Sequence, residues 1–181
     1  MSIEIEKKYR LTEDQYKFVI DGLKEFDAEF IGEEFEVNSI YGGGVLKEKK
    51  AALRVRKIGE KTILTFKQRI ENEFAIKQQI EFETEVANAE EIEKIIESLG
   101  FQVGLIYEKR RKTWKFKNVE VVLDELPFGL FMEIEGKMTD IALVEMLLEA
   151  DNFEVEHETY PSLTKNLGKE NGNIIEARFD W

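Results

Sequence analysis

The sequence predicts an α+β fold: a large antiparallel sheet or barrel with amphipathic helices against it. Three observations predict it. Short runs of alternating polar and apolar residues recur along the chain, several of them separated by turn residues. Three other segments carry apolar residues at helical spacing. The charged residues of the alternating runs also sort by sign, strand by strand.

The elements follow in order. Residues 3–10 read as a strand, with Ile3 and Ile5 on the face opposite Glu4 and Glu6. A helix starts at Thr12, where Thr12 and Gln15 form a capping box and Glu13 and Asp14 favour the first turn. Phe18, Val19, Leu23 and Phe26 supply its apolar face. The alternating stretch EFEVNSIY ends at Gly42, Gly43 and Gly44, read as a flexible turn. Residues 53–57 form a strand, Gly59 turns the chain, and TILTFKQR returns as the next strand. Residues 70–77 are polar and read as a loop, and residues 78–86 alternate strictly.

A second helix runs from Asn88 to Leu99, with Ile92, Ile95, Ile96 and Leu99 as its stripe and Gly100 as its stop. Strands follow at 105–117, 119–126 and 130–136, the first pair turned at Asn118. A third helix spans 139–150, YPSLTKNLG makes a short helix opened by Pro161, and IIEARF adds a last strand. The count is about eight or nine strands in one domain over residues 1–181.

Composition removes several chemistries. The chain has no cysteine and a single histidine, His157, so disulfides, thiolate nucleophiles and Cys/His zinc sites are excluded. A Ser-His-Asp triad would have to use His157, which has no nucleophile elbow near it and reads as an ordinary tail residue. A metal would be held by oxygen ligands, which points to Mg²⁺ or Mn²⁺. The net charge of -12 argues against broad nucleic-acid binding. No signal peptide or membrane-spanning stretch is readable, so a cytoplasmic protein without a membrane partner is expected.

The charged strands carry the functional argument. Glu4, Glu6 and Lys8 alternate on the first, and Arg54 and Arg56 on another. Thr65, Lys67 and Arg69 follow in phase, then Glu81, Glu83 and Glu85. Lys109 and Arg111 share a phase, as do Glu133 and Glu135, while Asp124 lies among apolar neighbours. For any one strand, a solvated face is the simpler reading. For the set, like charges two apart repel unless neighbouring strands of opposite sign, or bound ions, fill the gaps. Carboxylates holding Mg²⁺ beside Lys and Arg gripping an anion would suit a triphosphate. The Gly42–Gly44 run is not a phosphate loop, because Val45 and Leu46 stand where Lys and Ser/Thr would be needed.

The order EIEKKYR, ALRVRK, LTFKQR, IEFETEV, YEKRRKTW, VVLDEL, FMEIEG resembles the CYTH, or triphosphate tunnel metalloenzyme, superfamily. The resemblance implies a closed eight-stranded antiparallel β-barrel, a tunnel with a charged interior. It implies that Lys8, Arg54, Arg56, Lys67, Lys109 and Arg111 bind the triphosphate. It further implies that Glu4, Glu6, Asp124, Glu133 and Glu135 handle metal, and that Glu4, Glu6, Lys8 and Glu83 are the catalytic set. Which two of Glu81, Glu83 and Glu85 match the family's acidic pair stays open.

The family's Phe-Asp after the tyrosine is replaced here by Gly42 and Gly43 after Tyr41, and an arginine often sits near Gln79. The implied partner is a small-molecule triphosphate, with a homodimer allowed. Residues 153–181 form a tail that could act as lid or plug. The favoured activity is triphosphate hydrolysis; the alternatives are adenylyl cyclisation and a non-catalytic nucleotide or polyphosphate sensor. Tyr41, Phe74 and Tyr160 are candidates to stack on a base, with packing the simpler role for each.

Overall fold

A computed structural model describes residues 5–70 and 78–180, with backbone alone for residues 69, 70, 78 and 79. Glu4, the loop residues 71–77 and Phe74 therefore lie outside the described residues. Two compact units are present: Met1–Phe35 with Lys109–Thr159, and Glu36–Glu108 with Tyr160–Trp181. Strands β2 (Glu29–Gly42) and β6 (Gln102–Phe116) contribute to both.

In the first unit, β1 (Ile5–Leu11) pairs antiparallel with β8 (Gly129–Gly136), β8 with β7 (Val119–Leu126), and β7 with β6. Period-two alternation gives this sheet an apolar face and a charged one. Tyr9, Leu11, Trp114, Phe116, Val121, Leu123, Met132 and Ile134 form the apolar face. It is covered by Val19 and Leu23 of α1 (Glu13–Glu25) and by Ile141 and Val144 of α4 (Met138–Leu147). Thr12 and Gln15 make the expected reciprocal capping box at the start of α1. The expected α1 stripe is wider than the buried one: Phe18 is 48% exposed and Phe26 41%, Phe26 lying stacked on Phe116. Only the positions directly over the sheet are covered.

In the second unit, β3 (Ala51–Ile58) lies between β2 and β4 (Lys61–Ile70), and β4 pairs with β5 (Gln78–Val86). Gly59 turns β3 into β4 at φ 55°. Tyr41, Val55 and Ile96 form the core on one face, Ile96 coming from α3 (Ala89–Ser98). Ile95 and Leu99 stay exposed, so the α3 stripe also buries less than its spacing promises. The Gly42–Gly44 turn leads into a one-turn helix, α2 (Gly44–Glu48), which buries Leu46.

The expected last strand in IIEARF is present as Ile174–Ala177, while two further short strands and the partners of all three were not expected. β9 (Glu154–Val155) pairs with β1 in the first unit. In the second, helix α5 (Tyr160–Leu167) leads to the hairpin β10 (Lys169–Asn171) and β11 (Ile174–Ala177), and β11 joins β6 in parallel. The fold is thus α+β with a large, mainly antiparallel sheet. Among the described residues β5 pairs only with β4 and β9 only with β1, and no described pairing closes a barrel.

Candidate functional site

The charged face of the first unit is built by register. Lys8 lies opposite Glu133, Glu6 opposite Glu135, Glu120 opposite Glu135, and Arg111 opposite Asp124. Arg111 makes a two-pronged bond to Asp124, 2.8 Å from Nε to Oδ1 and 2.6 Å from Nη2 to Oδ2. The same Nη2 donates to Glu133 at 2.7 Å. Lys109 Nζ stands 3.5 Å from Asp124 Oδ2. Asp124 is fully buried and Lys109 nearly so. Ionised groups survive such burial only when paired and hydrogen-bonded, as these are.

Lys8 Nζ lies 3.2 Å from Glu133 and 3.6 Å from Glu6, and donates at 3.4 Å to the Glu158 carbonyl. Glu6 has its carboxyl pushed above the usual range by loss of solvent and by the charge of Glu133, against the opposing pull of Lys8. Ile5 and Tyr9 point to the apolar face, where Glu145 accepts from both Lys7 and Tyr9. Among the described residues no three carboxylate or imidazole groups form a metal cage.

The second unit carries the other three basic positions. Arg54 lies opposite Thr65, which lies opposite Glu83; Lys67 lies opposite Glu81. Buried Thr65 accepts from Arg54 Nη2 at 3.3 Å and donates to Glu83 Oε2 at 2.9 Å. Lys67 meets Glu81 at 2.9 Å. Arg54 is 3.5 Å from Glu83 and 3.9 Å from Glu81. Glu85 instead faces Ile63 and lies 3.7 Å from Lys61, so the acidic pair beside Arg54 is Glu81 and Glu83.

Two residues that the sequence reading missed complete this face. Glu36 is only 1% exposed and lies 3.6 Å from Arg56 Nε. Fully buried Asn38, opposite Arg56 in register, donates to Glu36 at 3.1 Å. Both occupy alternate positions of EFEVNSIY, in phase with Arg54 and Arg56. Phase was the available signal, yet Glu33 and Glu34 nearby carry the same charge and remain exposed. Burial pushes the hydroxyl of Tyr107 up to about 12. The Nε atoms of Arg54 and Arg56 are buried without a hydrogen-bond partner. Buried donors without acceptors are uncommon and costly, and here they are cationic.

Of the stacking candidates, Tyr41 is packed in the second core, and Tyr160 is buried with its ring 6.4 Å from that of Tyr107. A family model described as the CYTH domain matches residues 2–165. The chain belongs to the CYTH family. CYTH proteins make up the triphosphate tunnel metalloenzyme superfamily, whose members act on triphosphates and in general depend on metal. A curated protein of Methanocaldococcus jannaschii, provisionally named an adenylate cyclase, is 29% identical over 151 residues, 81% of this chain and 84% of the relative.

The PH1012 protein of Pyrococcus horikoshii matches this CYTH chain with a TM-score of 0.74 at 26% identity, over 89% of this chain and 99% of that one. A Hippeastrum protein described as an adenylyl cyclase with a dominant triphosphatase activity matches with a TM-score of 0.69. The match covers 91% of this chain and 96% of that one; at 18% identity the likeness is one of fold. Among the described residues no helix is long and apolar enough to cross a membrane.

Proposed function

We propose that this chain is a divalent-metal-dependent triphosphatase, hydrolysing inorganic triphosphate, thiamine triphosphate or a nucleoside triphosphate. The observation that carries the reading is the pair of buried Nε donors on Arg54 and Arg56 that lack a hydrogen-bond partner. They belong to a strand face where cations and carboxylates alternate, which suits several phosphate oxygens at once. In this reading the antiparallel strands close into a tunnel within a single domain. Lys8, Lys109 and Arg111, with Arg54, Arg56 and Lys67, grip the phosphates. The tail from residue 153 onward acts as its lid or plug.

The residues fit a hard cation. Loss of solvent and the charge of Glu133 push the Glu6 carboxyl up, and a cation beside the two would relieve that excess negative charge. Glu6, Glu133 and Glu135 would hold the metal by drawing together, since no three described carboxylates form a cage as they stand, and Glu4 completes the set that the family resemblance implies. Asp124 joins that set only by releasing Arg111. When bound, Mg²⁺ or Mn²⁺ supplies charge neutralisation to the phosphates. The chain's own groups do the rest. Lys and Arg hold the transferring phosphoryl group in line and stabilise the charge that moves onto the leaving oxygen. Glu83, fixed by Thr65, orients the attacking water, whose oxygen bonds to the terminal phosphorus as the bridging P–O bond breaks.

Adenylyl cyclisation is the second reading, favoured by the name of the M. jannaschii relative. Hydrolysis is preferred because Tyr41 and Tyr160 are occupied in packing and leave no base platform there. The deciding experiment offers tripolyphosphate, thiamine triphosphate and ATP with Mg²⁺ or Mn²⁺. Orthophosphate release is expected, and Arg56→Ala should weaken triphosphate binding severely. Cyclic AMP with pyrophosphate would replace this reading with the cyclase. Tight binding without turnover would replace it with the sensor.

A further inference from the structure

Glu36 poses a question that the phosphate-gripping residues leave unanswered. Its carboxylate is 1% exposed, on a strand face that is read as receiving an anion. A bystander carboxylate there would oppose triphosphate binding and would also bear the cost of leaving water. The geometry supplies a reason for it. One oxygen, Oε2, accepts from Asn38 Nδ2 at 3.1 Å and lies 3.6 Å from Arg56 Nε. Asn38 is itself fully buried and stands directly across from Arg56 in the β2–β3 register. Arg56 is a long, rotamer-rich side chain whose Nε has no hydrogen-bond acceptor.

We infer that Glu36 is a positioning residue: propped by Asn38, it holds the Nε edge of Arg56 so that the Nη groups present a fixed fork to a phosphate. This rests on the triphosphate reading and deepens it. Glu36 touches no phosphate; it acts through Arg56. Asn38 keeps Glu36 from turning away through its Nδ2 bond to Oε2 at 3.1 Å.

The sign of one substitution separates the possibilities. Glu36→Gln keeps the size and the Asn38 bond but removes the charge that faces Arg56. A positioning role predicts that tripolyphosphate affinity falls about tenfold, as for loss of a charge-assisted contact. A bystander charge predicts tighter binding, and unchanged or tighter binding would overturn the inference. A double-mutant cycle supplies the second arm: in an Arg56→Ala background, Glu36→Gln should cost no further affinity. Equal losses in both backgrounds would show a purely structural role and defeat it.

A third readout needs no ligand. The ¹⁵N order parameter of Arg56 Nε–H should drop in Glu36→Gln and partly recover in Glu36→Asp. An Arg56 equally ordered in all three proteins would also overturn it. If Glu36→Gln does not fold, Asn38→Ala must show the same loss of order and affinity, smaller in size, for the inference to stand. Wild-type protein that binds no tripolyphosphate would defeat the functional reading, while the order parameter would still report on Glu36 and Arg56.

Discussion

A charged residue on these strands is defined by what stands opposite it. Glu81, Glu83 and Glu85 are indistinguishable in sequence, since all three alternate on one strand. The β4–β5 register separates them, giving Glu83 to Thr65 and Glu81 to Lys67, and leaving Glu85 to Lys61 at its exposed end. Glu83→Gln should therefore lower triphosphate turnover by about tenfold or more, while Glu85→Gln should stay within about twofold. Steady-state rates on whichever triphosphate proves to be turned over check this; equal losses would sink the assignment of Glu83. The alternation itself was readable, and so was the need for opposite-signed neighbours; the pairs that meet it, Lys8 with Glu133, Arg111 with Asp124 and Arg54 with Glu83, come from the register. Glu36 and Asn38 were not readable as site residues, because burial is a property of the assembled sheet.

Elements with strong local signals appear where the sequence places them. Thr12 caps α1, Asn88 accepts from Glu91 to cap α3, and Lys117 and Asn118 turn β6 into β7. Local chemistry suffices there because the capping atoms lie within a few residues of one another. Of the strands of two to four residues, only β11 had a local signal, in IIEARF, and none signalled its partner. β9 and β11 exist because β1 and β6 offer them hydrogen-bond partners far away in sequence. The turn after α5 depends on close approach. A Cβ at Gly168 would stand 2.6 Å from the Thr164 carbonyl oxygen and 2.9 Å from that of Glu176, both backbone atoms. Gly168→Ala should cost about 1–3 kcal/mol and strip exchange protection from the β10–β11 hairpin. Urea denaturation with amide exchange measures both, and unchanged protection would contradict the packing described.

At the scale of the whole chain, a net charge of -12 makes acid behaviour informative. Burial works against ionisation of Glu145, yet hydrogen bonds from Lys7 and Tyr9 together hold its carboxyl below the usual value. Burial is likewise outweighed at Glu156 by the Glu158 amide and Arg10, whereas at Glu176 the Arg178 hydrogen bond leads. A carboxylate lowered in the folded state adds stability above its unfolded pKa and loses it as pH falls through the folded one. Glu6, raised, contributes with the opposite sign: its share is present at low pH and is lost as pH rises through its folded value. Three lowered groups against one raised predict a urea midpoint that falls as pH drops from about 5 to about 3. Glu145→Gln should flatten that limb. A midpoint that rises on acidification would contradict these pairings.

By itself the sequence determined the class of chemistry and the order of the main elements. The absence of cysteine, the single histidine and the charges sorted by strand are one-dimensional facts, and so are period-two alternation and helix caps. The tertiary structure alone decided which carboxylates neutralise which cations, since opposition across a ladder depends on register. It also decided which apolar stripes are covered, and which polar atoms lose water without gaining a partner. Desolvation is set by everything packed around an atom, which is why the buried Nε donors of Arg54 and Arg56, and the carboxylate of Glu36, emerge only once the strands are assembled.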